Sequence, residues 1–284
     1  MISNSKRNAK MLAAAAAAAA GVVAAACALA APASAQPAPA RTDGFAVRPL
    51  HVTRIANGKD LRHRFRPDGK GAARTEALAS PDDITQLGKD IFVSFQNGVG
   101  PQGEASPVGN LDSTIVEFTL AGREVAQWDL HGKCDGLTAD PHLGQVLATV
   151  NEDAHSSLYA IAPRAGRVLH YAYSKPLPHN GGTDAISIYR GSILISASAP
   201  GTTGAAAPNP KYPAVYVVTL SARTRVAHMR PLFGDEAWAR QANGPAAGKT
   251  IRLALTDPDS NEVVPAIAAS TRATSCSTPR ATRS

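Results

Sequence analysis

From Pro81 onward, short apolar runs alternate with turns that are rich in Gly, Pro and Asp. The runs are rich in Val, Ile, Thr, Tyr and Phe, which are the residues that favour β-strands. The pattern predicts strands at 84–87, 91–95, 114–120, 124–130, 137–139, 145–150, 157–162, 167–173, 185–189, 192–197, 214–220 and 224–229. It predicts no amphipathic helix of normal length, and at most one short helical turn at 235–242.

The strand pattern repeats. Asp83, Asp135 and Asp184 open the first strand of each repeat and lie 52 and 49 residues apart. The hairpins that follow align as well, with related apolar runs at 115–118, 158–161 and 215–218. A four-stranded unit that repeats at roughly 40–50 residues is typical of a β-propeller blade. The sequence therefore predicts an all-β fold, a β-propeller of four-stranded blades.

The number of blades is small. Three repeats are readable, and a fourth is expected to begin near residues 256–258. Most propellers have about four to eight blades, so we expect an incomplete propeller in this chain, formed by residues 81–265.

The two ends of the chain differ from the blades. Residues 1–35 combine a basic start, an Ala-rich apolar run and the small residues Ala33-Ser34-Ala35, which predicts a cleaved signal peptide and a secreted or extracytoplasmic protein without stable membrane insertion. A retained anchor and lipidation at Cys27 are the alternatives. Residues 36–80 are expected to form a polar linker, with a ring-closing strand within 45–55 as one option. Residues 266–284 contain no acid and no aromatic residue, which fits either a disordered tail or a shifted reading frame.

The formal net charge of +7 arises at these ends. Residues 1–35 and 266–284 carry six of the 29 basic residues and none of the 22 acidic ones, so the remainder is nearly neutral. A neutral body has no electrostatic footprint for nucleic acid, and the expected partner is a protein or a small molecule. Cys134 is predicted to be a buried free thiol, because Cys276 lies in the unusual tail.

Polar residues gather at one end of the predicted blades. In a meandering blade, the start of the first strand and the end of the second strand lie on the same face. This places Asp83, Asp135 and Asp153 at the mouth of the central channel, beside further carboxylates and Asn residues. Such oxygen donors suit Ca²⁺, and His179 or His155 could carry a proton. The alternative is structural, because Asp at a strand start commonly caps the backbone.

The same face carries the long loops 98–112 and 200–212, and long loops on a rigid scaffold often bind ligands. The sequence contains no Gly-rich phosphate cradle, no zinc-ligand spacing and no Gly-x-Ser-x-Gly elbow, which disfavours nucleotide and serine-hydrolase chemistry.

Residues 83–232 resemble secreted bacterial β-propellers of the gluconolactonase-like, NHL-like and YVTN-repeat assemblage. The likeness is carried by the stretches at 96–100, 132–137 and 179–184. The gluconolactonase and paraoxonase branch implies a channel Ca²⁺ held by one Glu, two Asn and one Asp. In this chain the residues of suitable type are Glu152, Asn97, Asn151 and Asp184.

Two functions follow from these patterns. The first is an exported binding or scaffold protein that uses the loop-rich face at the channel mouth. The second is a Ca²⁺-dependent lactonase or esterase with Asn97, Asn151, Glu152 and Asp184 as metal ligands and His179 as the catalytic proton carrier. Chelation should abolish activity and lower the melting temperature only for the enzyme. A truncated product without function is a third alternative.

Overall fold

The computed structural model describes residues 51–178, 181–198, 212–255, 257–258 and 260–263. All its regular elements lie within the unit of residues 52–284. The strands are β1 Arg62–Phe65, β2 Arg74–Ala77, β3 Pro81–Leu87, β4 Asp90–Phe95, β5 Asp112–Thr119, β6 Glu124–His131, β7 Cys134–Asp140, β8 Gln145–Val150, β9 Ser157–Ala162, β10 Arg167–Tyr173, β11 Thr183–Tyr189, β12 Ser192–Ala197, β13 Pro213–Ser221, β14 Val226–Gly234, β15 Trp238–Arg240 and β16 Thr250–Arg252. Within these residues, no helix has the length and apolar character needed to cross a membrane.

The twelve predicted strands are present, and the all-β propeller-type fold is confirmed. β3 to β6 form one antiparallel meander, which is the first blade. β7 to β10 and β11 to β14 form the second and third blades with the same order of pairing. The turns lie at the predicted places, and Gly122 and Gly166 take positive φ angles of 78° and 58° that favour glycine.

Blades two and three are joined in a way that the repeat did not predict. Their outer strands β10 and β14 pair in parallel, with Ala172 opposite Val226 and Tyr173 opposite Ala227. The two blades therefore form one eight-stranded sheet, whereas the first blade is a separate four-stranded sheet.

The hydrophobic core lies between the blades, and β8 shows why. Val146, Ala148 and Val150 pack in a cluster with residues of blade one. Leu147, one position out of phase, packs in a second cluster with residues of blade three. Alternate side chains of a strand point to opposite faces, so both faces of this central blade are buried. Each fully buried side chain of this size contributes about 1.5–3 kcal/mol.

Short hairpins flank the blades. β1 and β2 pair with each other inside the segment predicted to be a linker. Residues 51–55 form no strand, and residues 45–50 lie outside the described part of the chain. The short helical turn expected at 235–242 is wrong, because β15 lies there and pairs with β16.

Candidate functional site

The first strand of every blade contains a β-bulge at its opening. The pairing with the second strand skips one residue between Pro81 and Ile84, between Cys134 and Leu137, and between Thr183 and Ile186. The first residue of each bulge is an aspartate: Asp82, Asp135 and Asp184. Bulges re-aim side chains and are common beside functional sites. The structural repeat therefore aligns Asp82, not Asp83, with the other two aspartates.

A hydroxyl group on the second strand holds each bulge in place. Asp83 N donates to Ser94 Oγ at 2.9 Å, and Gly136 N donates to Thr149 Oγ1 at 2.9 Å. In blade three, Ser196 Oγ donates to the carbonyl of Ala185 at 3.3 Å. These bonds partner backbone groups that the bulge removes from the ladder, so each blade presents its first aspartate in the same way.

The bulges surround one cavity of about 340 Å³. Its lining consists of Asp82, Asp83, Lys133, Asp135, Glu152, Asp184, Ala185 and Ser260. Among the described residues, five carboxylates and one ammonium group line the cavity, and we call it the acidic cavity. The cavity lies at the openings of the three neighbouring inner strands β3, β7 and β11.

Lys133 is held between two of these carboxylates. Its Nζ lies 2.8 Å from Asp135 Oδ1 and also contacts Glu152 Oε1. Burial by itself would lower the pKa of Lys133, but the hydrogen bonds to Asp135 and Glu152 outweigh it and raise that pKa. Lys133 is therefore fully charged at neutral pH.

Asp135 is the most unusual group in the cavity. The residue is 7% exposed, and Oδ1 accepts from Lys133 and, at 3.3 Å, from Gln96 Nε2. Its second oxygen, Oδ2, is buried and accepts no hydrogen bond from the described residues. Burial raises the pKa of Asp135 to about 7, with repulsion from Glu152 and Asp82 adding to it and Lys133 opposing it. This carboxyl group therefore exchanges a proton near neutral pH.

Asp83 has a different role, although it lines the same cavity. Its Oδ1 accepts from the amide of Ile84 and its Oδ2 from the amide of Leu137, both at 2.7 Å. The second bond crosses from β3 to β7 and links the inner strands of two blades. The structure therefore places Asp83 as a backbone cap that also joins blades.

The two asparagines of the predicted calcium set bind backbone. Asn97 Oδ1 accepts from Ala79 N at 3.1 Å, and its Nδ2 donates to Thr114 Oγ1 at 2.9 Å. Asn151 Oδ1 accepts from Lys133 N at 2.9 Å, and its Nδ2 donates to the carbonyl of His155. Both residues have positive φ angles, 54° and 65°, which asparagine tolerates at turns. Neither lines the acidic cavity.

The residues as arranged do not fit the calcium site suggested by the resemblance. Glu152 and Asp184 line the cavity, but the amide oxygens of Asn97 and Asn151 are engaged elsewhere. The Lys133 ammonium already neutralises Glu152. Within the described residues, no group of three or more His, Cys, Asp and Glu side chains could hold a metal ion. The calcium ligand set stays a prediction.

The remaining predicted residues lie away from the cavity or outside the described part. Asp153 is exposed, lines a second cavity together with His155, and donates its backbone N–H to Pro101 O at 3.1 Å. His179, the predicted proton carrier, lies outside the described residues. Cys134 is buried with a free thiol, and burial raises its pKa well above the usual range.

Sequence reasoning placed Lys133 and Asp82 on the polar face but chose neither as a site residue. Lys133 directly precedes β7, and only the fold shows that its side chain reaches Glu152 at the end of β8. The sequence repeat aligned Asp83 instead of Asp82 with Asp135 and Asp184, because a repeat in sequence does not show a one-residue bulge. The sequence did contain a signal for the bulge. A hydroxyl residue stands one position before the end of the second strand in every blade, namely Ser94, Thr149 and Ser196.

A second cluster of charges lies between the β1–β2 hairpin and blade one. The side chain of His63 is 1% exposed, and its Nε2 lies 3.0 Å from Glu76 Oε1. Its Nδ1 lies 3.5 Å from Asp129 Oδ1, which is too long for a good hydrogen bond. Burial by itself would lower the pKa of His63, but Asp129 and Glu76 outweigh it and raise that pKa.

The chain matches no protein-family profile and no curated protein. Solved structures do match. One is the X-ray structure of a candidate gluconolactonase, with 17% identity and a TM-score of 0.36, covering 66% of this chain and 62% of that one. Another is the β-propeller domain of the Trilobed protease from Pyrococcus furiosus, with 10% identity and a TM-score of 0.33, covering 62% of this chain and 57% of that domain. The chain thus spans about three fifths of the length of each.

Proposed function

We propose that this chain is an exported binding protein that holds a small molecule in the acidic cavity at the channel mouth. One observation carries the proposal: Asp135 lines the cavity, and its Oδ2, which is shielded from solvent, has no hydrogen-bond partner among the described residues. A buried polar atom without a partner costs about 1–3 kcal/mol. If the Asp135 carboxyl group turns toward the cavity, a ligand that donates a hydrogen bond to this oxygen recovers that free energy.

The scaffold supports binding as well. The bulged aspartates are fixed by hydroxyl groups on the neighbouring strands, and the inner strands are linked through Asp83. A rigid cavity loses little entropy when it binds, and about 340 Å³ is the lower end of the range for ligand pockets. Export rests on residues 1–35, which lie outside the described part of the chain.

The test is a thermal-shift panel of small amines, polyols, lactones and carboxylates on the native protein and on two variants. Asp135→Asn alters the cavity, whereas Asp60→Asn changes an exposed carboxylate in the turn before β1. We expect at least one compound class to raise Tm by about 2 °C or more in the native protein and in Asp60→Asn, but not in Asp135→Asn. If no compound separates Asp135→Asn from the other two proteins, the proposal is wrong.

A second candidate function is hydrolysis of a lactone or ester, and the pKa of about 7 at Asp135 favours it. A base with that pKa can take a proton from water as the water attacks the carbonyl carbon, and can return it to the leaving oxygen. The Lys133 ammonium would stabilise the oxyanion.

A pH-stat assay on small lactones and esters tests this candidate. Turnover that Asp135→Asn reduces at least 100-fold, and that rises with pH around 7, supports hydrolysis. Turnover that chelation abolishes, with a fall in Tm, would instead restore the calcium-dependent alternative. Absence of turnover leaves binding as the function.

A further inference from the structure

The β1–β2 hairpin presents a row of arginines on its exposed face. Along β1, His63 and Phe65 are buried, whereas Arg62 and Arg64 are exposed. Arg66 follows with an extended backbone, with φ −115° and ψ 121°, and is exposed as well. Alternate side chains of a strand lie on the same side. Three guanidinium groups therefore share one face of the hairpin, and we call them the arginine row.

The arginine row has no carboxylate partner among the described residues. The ion pairs that these residues form use other basic groups, and in the hairpin it is His63 that binds Glu76 on the buried face. Two of the three arginines donate to backbone carbonyls. Opposite the row, β2 places the uncharged residues Ala77 and Thr75. The exposed guanidinium groups are therefore available to a ligand.

Charge is distributed unevenly between the hairpin region and the blades. Residues 51–80 carry seven Lys and Arg residues against three Asp and Glu residues, whereas residues 81–263 carry 14 against 18. A polyanion is therefore attracted to the hairpin and repelled by the blades. This asymmetry directs an anionic partner to one surface, although the body of the chain is nearly neutral as a whole.

A cavity of about 460 Å³ lies beside the arginine row. Arg64 and Arg66 line it, together with His131, Asp112 and apolar or small residues. Asp112 is the one acid in this lining, and its Oδ1 lies 3.3 Å from Nδ1 of His131. The cavity therefore offers two guanidinium groups to an anionic group that projects from a longer ligand.

The length of the row distinguishes a polymer from a small ion. Residues two apart in a strand are separated by about 6.6–6.8 Å, so the Cα atoms of Arg62 and Arg66 lie about 13 Å apart. One phosphate or sulfate group is too small to bind the whole row. A linear polymer with an anionic group on successive units can pair with all three arginines at once.

We propose that the exposed face of the β1–β2 hairpin binds a linear anionic polysaccharide, whose sulfate, phosphate or carboxylate groups pair with the arginine row. Guanidinium groups bind such oxyanions through two parallel hydrogen bonds. Nucleic acid fits less well, because Phe65 is 4% exposed and the hairpin offers no other Phe, Tyr or Trp on which bases could stack. Export of the chain would bring it to surface polysaccharides. The inference concerns a surface other than the acidic cavity and goes beyond the function proposed above.

The experiment is biolayer interferometry of the full chain on immobilised dextran sulfate, with unsulfated dextran as the reference, from 50 to 300 mM NaCl. We expect binding to dextran sulfate alone. The logarithm of Kd should rise with the logarithm of the salt concentration with a slope of about 2–3 for three contacts. Arg64→Gln should weaken binding and reduce this slope by about 1.

Two triple variants separate the arginine row from net charge. One replaces every arginine of the row by Gln, and the other carries Arg164→Gln, Arg167→Gln and Arg223→Gln, at exposed positions of blades two and three. Both lose the same charge and keep the basic residues of the two chain ends. We expect the first to weaken binding at least tenfold and the second to stay within about twofold of the native protein.

Several results would overturn the proposal. They are no binding to dextran sulfate, equal binding to unsulfated dextran, and equal losses in the two triple variants. Poly-L-glutamate and oligothymidylate are tested as competitors at 150 mM NaCl, and tighter binding of either would assign the row to an acidic peptide or to nucleic acid instead. The salt series is measured on the native protein, so the test stands even if a triple variant folds poorly.

Discussion

Two basic side chains of the described residues, His63 and Lys133, each lie between two carboxylates, and the two clusters differ in their surroundings. His63 lies between Glu76 and Asp129, and Asp129 Oδ1 also accepts from Thr114 Oγ1 at 2.7 Å. Lys133 lies between Asp135 and Glu152, but Asp135 keeps a buried oxygen without a partner at a cavity. Each cluster therefore keeps one buried atom without a hydrogen-bond partner, His63 Nδ1 in the hairpin cluster and Asp135 Oδ2 in the channel cluster. The two differ in their surroundings, because His63 Nδ1 faces Asp129 at 3.5 Å, whereas Asp135 lines a cavity.

The hydrogen bonds of the hairpin cluster continue into blade one. Thr114 Oγ1 accepts from Asn97 Nδ2 at 2.9 Å, and Asn97 Oδ1 accepts from Ala79 N. The chain of contacts thus runs from β2 to the end of β4 and returns to the segment before β3. This cluster is continuous with the hydrogen bonds of the backbone and lines no cavity described above, which is how we distinguish it from the candidate site.

The largest expected effect comes from removing the cation of the channel cluster. Lys133→Met leaves Asp135 and Glu152 without their shared partner, and we expect the free energy of unfolding at pH 8 to fall by about 2–4 kcal/mol. At pH 5 the loss should be smaller, because Asp135 takes up a proton. Urea unfolding at both pH values measures it, with the exposed Lys89→Met as control. Equal losses at the two pH values would contradict the role of Asp135.

The hairpin cluster is broken by His63→Ala. This change removes a buried ring that stacks on Phe65 at 5.6 Å between centroids, and it leaves Glu76 and Asp129 without the imidazole between them. We expect a loss of about 2 kcal/mol together with faster amide hydrogen exchange in β1 and β2. Ligand binding in the channel cavity should stay within about twofold of the native value. A large loss of binding would mean that the two clusters are coupled.

The pH dependence of the free energy of unfolding distinguishes the two clusters without removing Lys133 or His63. The raised pKa of Asp135 means that the folded state binds more protons than the unfolded state between about pH 4 and pH 7. Stability should therefore fall as pH rises through that window, by at most about 1.4 kcal/mol per pH unit. Asp135→Asn should flatten the fall.

For His63 the raised pKa places the pH-dependent loss of stability at a higher pH. Its contribution is fully present below the unfolded pKa of 6.5 and is lost as pH rises through the folded pKa. His63→Gln should remove this upper step and leave the fall between pH 4 and pH 7 intact. Urea midpoints measured every half unit from pH 4 to pH 9 would show both steps, and a single step that both variants abolish would contradict the assignment.

The smallest effect is expected from Thr114→Val, which keeps the shape of the side chain and removes its hydroxyl. Asn97 Nδ2 then retains only the carbonyl of Asp112 at 3.3 Å, and Asp129 loses a donor. We expect a loss of about 1 kcal/mol. Thr119→Val, at the end of the same strand and partly exposed, serves as the control and should cost less.

The strands could be predicted from sequence because local residue preference and burial agree along them. β8, β9 and β10 begin and end where their runs of Val, Leu, Ile and Tyr do. Strand direction alone was enough to predict that the aspartates lie at the same end of the blades. The bulge at Asp82 could not be predicted, because adjacent aspartates leave the register ambiguous by one residue. The contact between Lys133 and Glu152 joins side chains that are 19 residues apart in the sequence. No rule based on local sequence predicts such a contact.

Gly136 shows where packing between blades limits the sequence. A Cβ at this position would overlap the carbonyl oxygen of Asp184 and the hydroxyl of Thr149. Thr149 Oγ1 also donates to Asp184 O at 2.7 Å, so the inner strands of blades two and three approach at this point. Asp135 directly precedes Gly136, and both Asp135 and Asp184 line the cavity. The close approach of the two strands at Gly136 therefore helps to set the width of the cavity.

The parallel pairing of β10 with β14 has a consequence for how the molecule opens. Blades two and three share one ladder of backbone hydrogen bonds, so neither can separate without exposing the outer edge of the other. Blade one is attached by packed side chains, by the bond from Leu137 N to Asp83 Oδ2 and by the loop contact from Asp153 N to Pro101 O, without a shared strand ladder. Amides in β7 to β14 should therefore exchange with deuterium as one cooperative unit, and those in β3 to β6 as another. The boundary between these units passes through the cavity, so a bound ligand would slow the exchange of both.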